Sequence, residues 1–284
     1  MKAALAVAPA QAVSAQRPAR EALRRWLPGL LPFVLTLALY LWASQLRLAD
    51  NPQDKLLPSL TQMAEATGQM MFQADPRSGD YLLWNDTVAS LRRLLGGVLL
   101  AALAGLLTGV NLGLNRGARL VFSPFLTFVS LVPPLAVLPI LFIALGVDEL
   151  SKIALIFMGV YPLIARDVLL ATEQIPRENL VKAATLGASP LGVTWRLVMP
   201  LVMPRLIDTV RLALGGAWLF LIAAEAIAST EGLGYRIFLV RRYLAMDVIL
   251  PYVAWITFLG FAFDALLRGW LRRGFAWYLA GQRT

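Results

Sequence analysis

Cysteine and histidine are both absent from the 284 residues. Their absence removes disulfides, thiolate nucleophiles, imidazole bases and the zinc or haem ligation that depends on those side chains. No G-x-x-x-x-G-K-[ST] or G-x-S-x-G arrangement occurs either, so neither a nucleotide-cradling loop nor a serine-hydrolase elbow lies on this chain. Charge is also scarce: Asp, Glu, Lys and Arg make up 15% of the residues, where soluble domains carry about 25%. Hydrophobic residues reach 58% and mean hydropathy is +0.67, which points to an integral membrane protein. Lys plus Arg outnumber Asp plus Glu by 26 to 17. In a soluble protein that excess would suggest nucleic acid; here it reads as orientation signal held in cytoplasmic loops, with no nucleic-acid partner.

What is present is a series of apolar runs, each long enough to cross a hydrocarbon core of about 30 Å with roughly 20 helical residues. The first, "LPGLLPFVLTLALYLWASQL", occupies residues 27–46 and follows Arg17, Arg20, Arg24 and Arg25, which place the N-terminus inside. Residues 1–26 read as a cytoplasmic tail. Their opening "MKAALAVAPAQAVSAQ" carries a small-residue site like that of a secretory signal, but its apolar part is mostly Ala and is interrupted by Pro9. Residues 47–86 form an external connection, with acids at Asp50, Asp54, Glu65, Asp75, Asp80 and Asp86 against bases at Arg47, Lys55 and Arg77. Within it, Ser59 and Gln62 have capping-box spacing and Leu60, Met63, Thr67 and Met70 share one face, the pattern of an amphipathic helix on the outer surface.

The core, residues 87–270, holds the remaining spans. The second runs from about Leu94 to Leu114 with Gly96, Gly97, Gly105, Gly109 and Gly113 along it, small residues that let helices approach closely. Arg92 and Arg93 at its outer end run against the positive-inside assignment. The third, Leu120 to Val147, is uncharged but contains Pro124, Pro133, Pro134 and Pro139. It is expected as one kinked span, lining a cavity or kinked in tight packing. The fourth starts near Ile153 and ends at an interfacial Arg166 and Asp167, the fifth covers about Leu212 to Ile227, and the sixth about Val248 to Leu267. Residues 271–284 form a basic tail. The expectation is an all-α, polytopic fold of about six transmembrane helices with both termini cytoplasmic.

Two charged positions stand inside spans. Glu225, in "LIAAEAIAS", costs about 2.5–3.5 kcal/mol or more in lipid, so it faces either a pathway or gate, or an arginine near a membrane end. Asp264 and Arg268 have the spacing of a helical ion pair. Outside the spans, "GLGYR" supplies Gly232, Gly234 and Tyr235 as an outer gate or a simple turn.

Between the fourth and fifth spans, residues 176–204 read "PRENLVKAATLGASPLGVTWRLVMPLVMP". Pro176 suits a first helical position, Gly187 a left-handed residue after a helix end, and Ser189 with Pro190 a cap and first residue of a second short helix. A connection of about 30 residues is long where two to eight usually suffice, so it reads as a docking element.

At these residues the chain resembles the membrane subunits of bacterial ATP-binding-cassette importers. Their cytoplasmic motif runs Glu-Ala-Ala, three residues, Gly, nine residues, Ile, any residue, Leu-Pro. With Gly187 in register, Ala183 takes the second Ala, Leu197 the Ile, Met199 the Leu and Pro200 the Pro, while Val181 and Lys182 replace the Glu and first Ala. "PPLAVLPILFIALGVDELSKIALIF", the "LGAS" at Leu186, Gly187, Ala188 and Ser189, and "AWLFLIAAEAIASTEGLGYRI" are similar to permeases of the nitrate, sulfonate, taurine and bicarbonate group, over roughly residues 85–270. "FLVRRYLAMDVILPYVAWIT" resembles a subgroup associated with urea carboxylase or guanidine metabolism.

The resemblance implies a type I importer permease fold, multi-pass in the bacterial inner membrane, and transport of a small polar solute. It implies a second permease copy, two ATPase subunits that bind ATP and Mg, and a periplasmic or lipid-anchored solute-binding protein. This chain itself would hold no cofactor, no metal and no catalytic residue. Val181, Lys182, Ala183, Gly187, Ala188, Ser189, Pro190, Leu197 and Pro200 would couple to the ATPase; Pro133, Pro134, Glu225, Gly232, Gly234 and Tyr235 would belong to the pathway or gate. The competing expectation is an ATP-independent channel or proton-coupled carrier in which Glu225 titrates.

Overall fold

A computed structural model describes residues 19–281 except Gln53 and Arg77, with backbone alone for residues 19–28. The signal-like opening and Arg17 lie outside the described residues. Every regular element among those described is helical. Two units separate, residues 1–59 and 60–284.

In the first unit a single helix, α1 (Ala19–Asp50), includes an apolar stretch over Gly29–Asp50. Leu31, Phe33, Val34, Leu39 and Trp42 along it are exposed, as suits a helix surrounded by acyl chains. The chain then folds back on the helix end. The Tyr40 hydroxyl donates to the Pro58 carbonyl at 2.7 Å, the Ser44 hydroxyl to that of Leu57 at 2.9 Å, and Arg47 pairs with Asp54 at 2.6 Å.

The second unit contains α2 (Leu60–Phe72), α3 (Leu82–Leu114), α4 (Arg116–Ser130), α5 (Pro134–Leu145), α6 (Glu149–Glu173), α7 (Arg177–Thr185), α8 (Pro190–Val193), α9 (Met199–Ile227), α10 (Leu233–Val240), α11 (Met246–Gly274) and α12 (Ala276–Gly281). Among the described residues, five helical stretches are long and apolar enough to cross a membrane, α1 among them, and six if the bent pair α4–α5 is one span.

Its spine is the pair α3 and α6. A methyl group added at Gly97, Gly105, Gly109 or Gly113 would lie within 2.4–2.6 Å of Ile156, Ile164, Val168 or Thr172 respectively. With the buried Ala101 these glycines recur every four residues, one stripe on which α6 lies almost backbone to backbone. An adjoining face of α6 packs on α9, where Phe220 fills the space over Gly159. Leu94, Val98, Ile156, Val160, Ile164, Val168, Ala217 and Leu221 form the dry centre.

Four expectations are corrected. The third span is two helices: α4 and α5 meet at 95°. Pro133 and Pro134 supply no donors, so α4 ends by returning the Leu131 and Val132 amides to Phe128 and Val129, and α5 restarts with Pro134 in its first turn. At about 1.5 Å per residue, the 12 residues of α5 are too short to span alone. The second span starts twelve residues earlier than expected, at Leu82, with Arg93 inside it and buried. The fifth is continuous from Pro190 to Ile227, because a π-helical turn over Thr194–Val198 carries α8 into α9. Pro200 then sits in the first turn of α9, and Pro204 is accommodated within it. Residues 271–274, expected in the tail, complete α11.

The amphipathic helix is α2. It packs on α11 and α3 through Met70 and Met71, while Leu60 at its start is exposed.

Candidate functional site

Because α3, α6, α9 and α11 run past one another, the second unit has two ends, one carrying α7 and the other α10. Each concentrates part of the expected site.

At the α7 end the chain leaves α6 and turns through Pro176, which caps α7 from outside; Arg177 is the first helical residue. Glu178 in the first turn and Lys182 in the last complement the helix dipole. The helix closes with paired bonds, Ala188 N–H to Ala183 O at 3.1 Å and Gly187 N–H to Ala184 O at 3.0 Å, around Gly187 at φ +82°. This is the Schellman closure, which needs a left-handed residue after the helix end. A methyl group on Gly187 would meet nothing within 4 Å, so glycine is required for its backbone and not for room. Ser189 then caps α8, accepting from Gly192 N–H at 3.1 Å, with Pro190 in the first turn. Val181, Leu186, Leu191 and Trp195 are exposed, Leu186 by 87%. Lys182, Ala188, Ser189, Pro190 and Pro200 are also exposed, Ala183 and Leu197 are half-buried, and Met199 anchors the segment in the core. The result is a rigid, apolar-tipped knuckle.

At the α10 end lies a buried polar cluster. Asp86, Ser90 and Arg93 project from one face of α3, spaced four and three residues apart. Arg93, 1% exposed, reaches three further elements. It holds Glu149 of α6 in a two-point pair at 2.6 and 2.7 Å, Glu225 of α9 at 2.8 Å, and the Glu231 carbonyl before α10 at 2.8 Å. Glu225 is fully buried and also accepts from the Ser90 hydroxyl at 2.8 Å and the Gly234 amide at 2.8 Å. Asp86 accepts from the Gly232 amide at 2.9 Å, Arg236 at 2.8 Å and the Tyr252 hydroxyl of α11 at 3.0 Å. The Leu233 amide donates to Ser90 Oγ at 2.8 Å.

Three consecutive amides at the start of α10, Gly232 to Gly234, are therefore capped by side chains from α3 and α9. A helix start leaves its first amides without internal partners, and anionic caps suit the positive end of its dipole. Gly232 adopts φ +122°, and a methyl group there would lie 2.5 Å from the Glu225 carboxylate. Gly234 lies against the Ile222 backbone, 2.9 Å from a position its Cβ would occupy. Burial opposes the charge of Arg236, but the Asp86 carboxylate raises its pKa above the usual arginine value.

Of the expected pathway residues, Glu225, Gly232 and Gly234 meet in this cluster, with Tyr235 beside it, its ring 5.8 Å from the Arg236 guanidinium. Pro133 and Pro134 lie instead at the α4–α5 break. Glu225 has an arginine partner, Arg93, at 2.8 Å. Asp86 and Arg93 were read from the sequence only as a charge of the external connection and a charge at a span end, and Ser90, Glu149 and Tyr252 were not singled out. For Asp86, Ser90 and Arg93 the available signal was their four-then-three spacing on one face of α3.

Several known proteins share this architecture. The taurine transport system permease protein TauC of Escherichia coli (strain K12) is 33% identical over 227 residues, 80% of this chain and 79% of the relative. The bicarbonate transport system permease protein CmpB of Synechococcus elongatus is 31% identical over 195 residues, 68% and 69% of the two chains. A solved structure of the MetNI methionine ABC transporter, inward facing, superposes with a TM-score of 0.55 at 20% identity, covering 66% of this chain and 96% of that one; the fold is shared. Residues 97–273 match a family described as the binding-protein-dependent transport system inner membrane component, and the chain belongs to that family, within its nitrate, sulfonate, taurine and bicarbonate group.

Proposed function

We propose that this chain lines the translocation pathway for a small polar solute resembling those its relatives are named for, taurine and bicarbonate, or a urea- or guanidine-like solute. Two copies form the pore in a bacterial inner membrane, with the α7 end and both termini cytoplasmic. Two ATPase subunits, which bind ATP and Mg, hold the α7–α8 knuckles, and a solute-binding protein delivers cargo at the α10 end. The chain itself performs no chemistry and holds no cofactor.

The observation that carries this reading is the knuckle. Four exposed apolar side chains, Val181, Leu186, Leu191 and Trp195, on a segment held by a Schellman closure and a Ser189 cap, are costly to leave in water and suit a partner's groove. Nucleotide-driven closure of the ATPases then rocks the spans between inward- and outward-open states. The carrier alternative requires Glu225 to exchange protons along a pathway; enclosure by Ser90, Arg93 and Gly234 favours a structural role instead.

Affinity-tagged chain, co-expressed with its partner ATPase, is expected to retain that ATPase through purification. Gly187→Val, which places a β-branched residue at positive φ, is expected to keep the ATPase bound and lower ATP-driven uptake at least tenfold. Purification without any ATPase, or full uptake by the variant, contradicts the docking assignment.

A further inference from the structure

At the α7 end, three ion pairs join successive helices: Arg119 of α4 with Glu173 of α6, Asp167 of α6 with Arg205 of α9, and Arg211 of α9 with Asp264 of α11. The middle pair differs in geometry. Arg205 Nε donates to Asp167 Oδ2 at 2.7 Å and Arg205 Nη2 to Oδ1 at 2.7 Å. Buried Thr209, one turn further along α9, closes onto the same carboxylate.

The position of this pair in the chain matters as much as its geometry. Along the chain, a displacement of the knuckle reaches the spans through two stems, the end of α6 and the start of α9. The α9 stem contains the π-helical turn over Thr194–Val198, the natural place for a helix to yield. Asp167 and Arg205 lie on the span side of both the turn and the α6–α7 corner, so they close the neck of the loop beyond its compliant part. A guanidinium fork gripping both oxygens of a carboxylate fixes register as well as distance, which a single-point lysine contact does not. It therefore resists sliding of α6 along α9.

We propose that Asp167, Arg205 and Thr209 form a neck strap that makes α6 and α9 move as one body when the ATPases displace the knuckle. Arg205 is thus a positioning residue for transport and contacts no solute. The assignment rests on the coupling role given to the α7–α8 knuckle above. Arg205 is 45% exposed and Asp167 17%, and exposed ion pairs stabilise folds little, so variants are expected to fold and the motion becomes measurable.

The chain contains no cysteine, so spin labels can be placed at Leu163→Cys on α6 and Leu219→Cys on α9, both exposed. The labelled chain is assembled with its ATPase and read by electron paramagnetic resonance with and without ATP and vanadate. With the native strap, the label separation is expected to be the same in both states. In Arg205→Gln and Arg205→Lys it is expected to shift or broaden on adding nucleotide, with taurine uptake per ATP hydrolysed falling at least fivefold. The exchange Asp167→Arg with Arg205→Asp is expected to restore the single separation. Variants whose separation stays as insensitive to nucleotide as the native pair overturn the strap, as do variants that no longer bind the ATPase, which make the pair an assembly contact. Failure of the unsubstituted chain to bind the ATPase strikes the coupling role itself, and the strap with it.

Discussion

Arg93 and Glu225 show what a buried charge in a membrane helix requires. Neither is affordable alone in lipid, and together they still need every remaining donor and acceptor satisfied. Ser90, Glu149, Gly234 and the Glu231 carbonyl supply those partners. Removing one member leaves an uncompensated buried charge, at a cost of about 3–5 kcal/mol. Arg93→Ala and Glu225→Ala are each expected to lower the thermal unfolding midpoint in detergent sharply, and the double variant to lose less than the sum of the two. Strict additivity would show that the pair is not coupled. In the sequence, Glu225 was legible as a lone carboxylate in an apolar run, but its partner was not. "LRRLLGG" has the form of arginines at a span end, and only the spacing of Asp86, Ser90 and Arg93 on one helical face marks Arg93 as inward.

At the scale of elements, the chain replaces side-chain packing with backbone proximity where α3 meets α6. Gly109 leaves its Cβ position 2.6 Å from Val168 Cγ1 and 2.7 Å from the Ala165 carbonyl, so any side chain must part the helices. Overpacking a well-filled core costs about 1–3 kcal/mol or more. Gly109→Leu is expected to reduce membrane-inserted, monodisperse protein several-fold, while the same change at Gly215, which has nothing within 4 Å, leaves yield unchanged. Equal yields for the two variants would refute the close-approach account. The glycine stripe was readable in advance because its four-residue period is a helical property. The 95° turn between α4 and α5 was not: Pro133 and Pro134 forbid a continuous helix, but the angle between the pieces is set by packing of α5 on α6 and α9. Likewise the early start of the fifth span was not legible: the π-helical turn changes the hydrogen-bond register just before Pro200, whose missing donor falls in the first turn of α9.

For the whole molecule, the two ends of the second unit have different designs. At the α10 end, α3, α6, α9, α10 and α11 converge on buried charges that fix their positions; at the α7 end, partly exposed ion pairs join helices beneath the exposed α7–α8 knuckle. Such an arrangement suits rigid-body rocking, in which displacement enters at one end and the other end acts as a clamp. Membership in the family of binding-protein-dependent inner membrane components supplies the context, and under the function proposed above energy arrives through the knuckle. The most direct measurement reconstitutes this chain with the neighbouring ATPase and solute-binding protein in proteoliposomes and follows uptake of taurine, bicarbonate, nitrate, aliphatic sulfonates, urea and guanidine. The account predicts accumulation of one of these solutes that requires ATP and all three components. Uptake of a solute by this chain alone, without ATP, would contradict it.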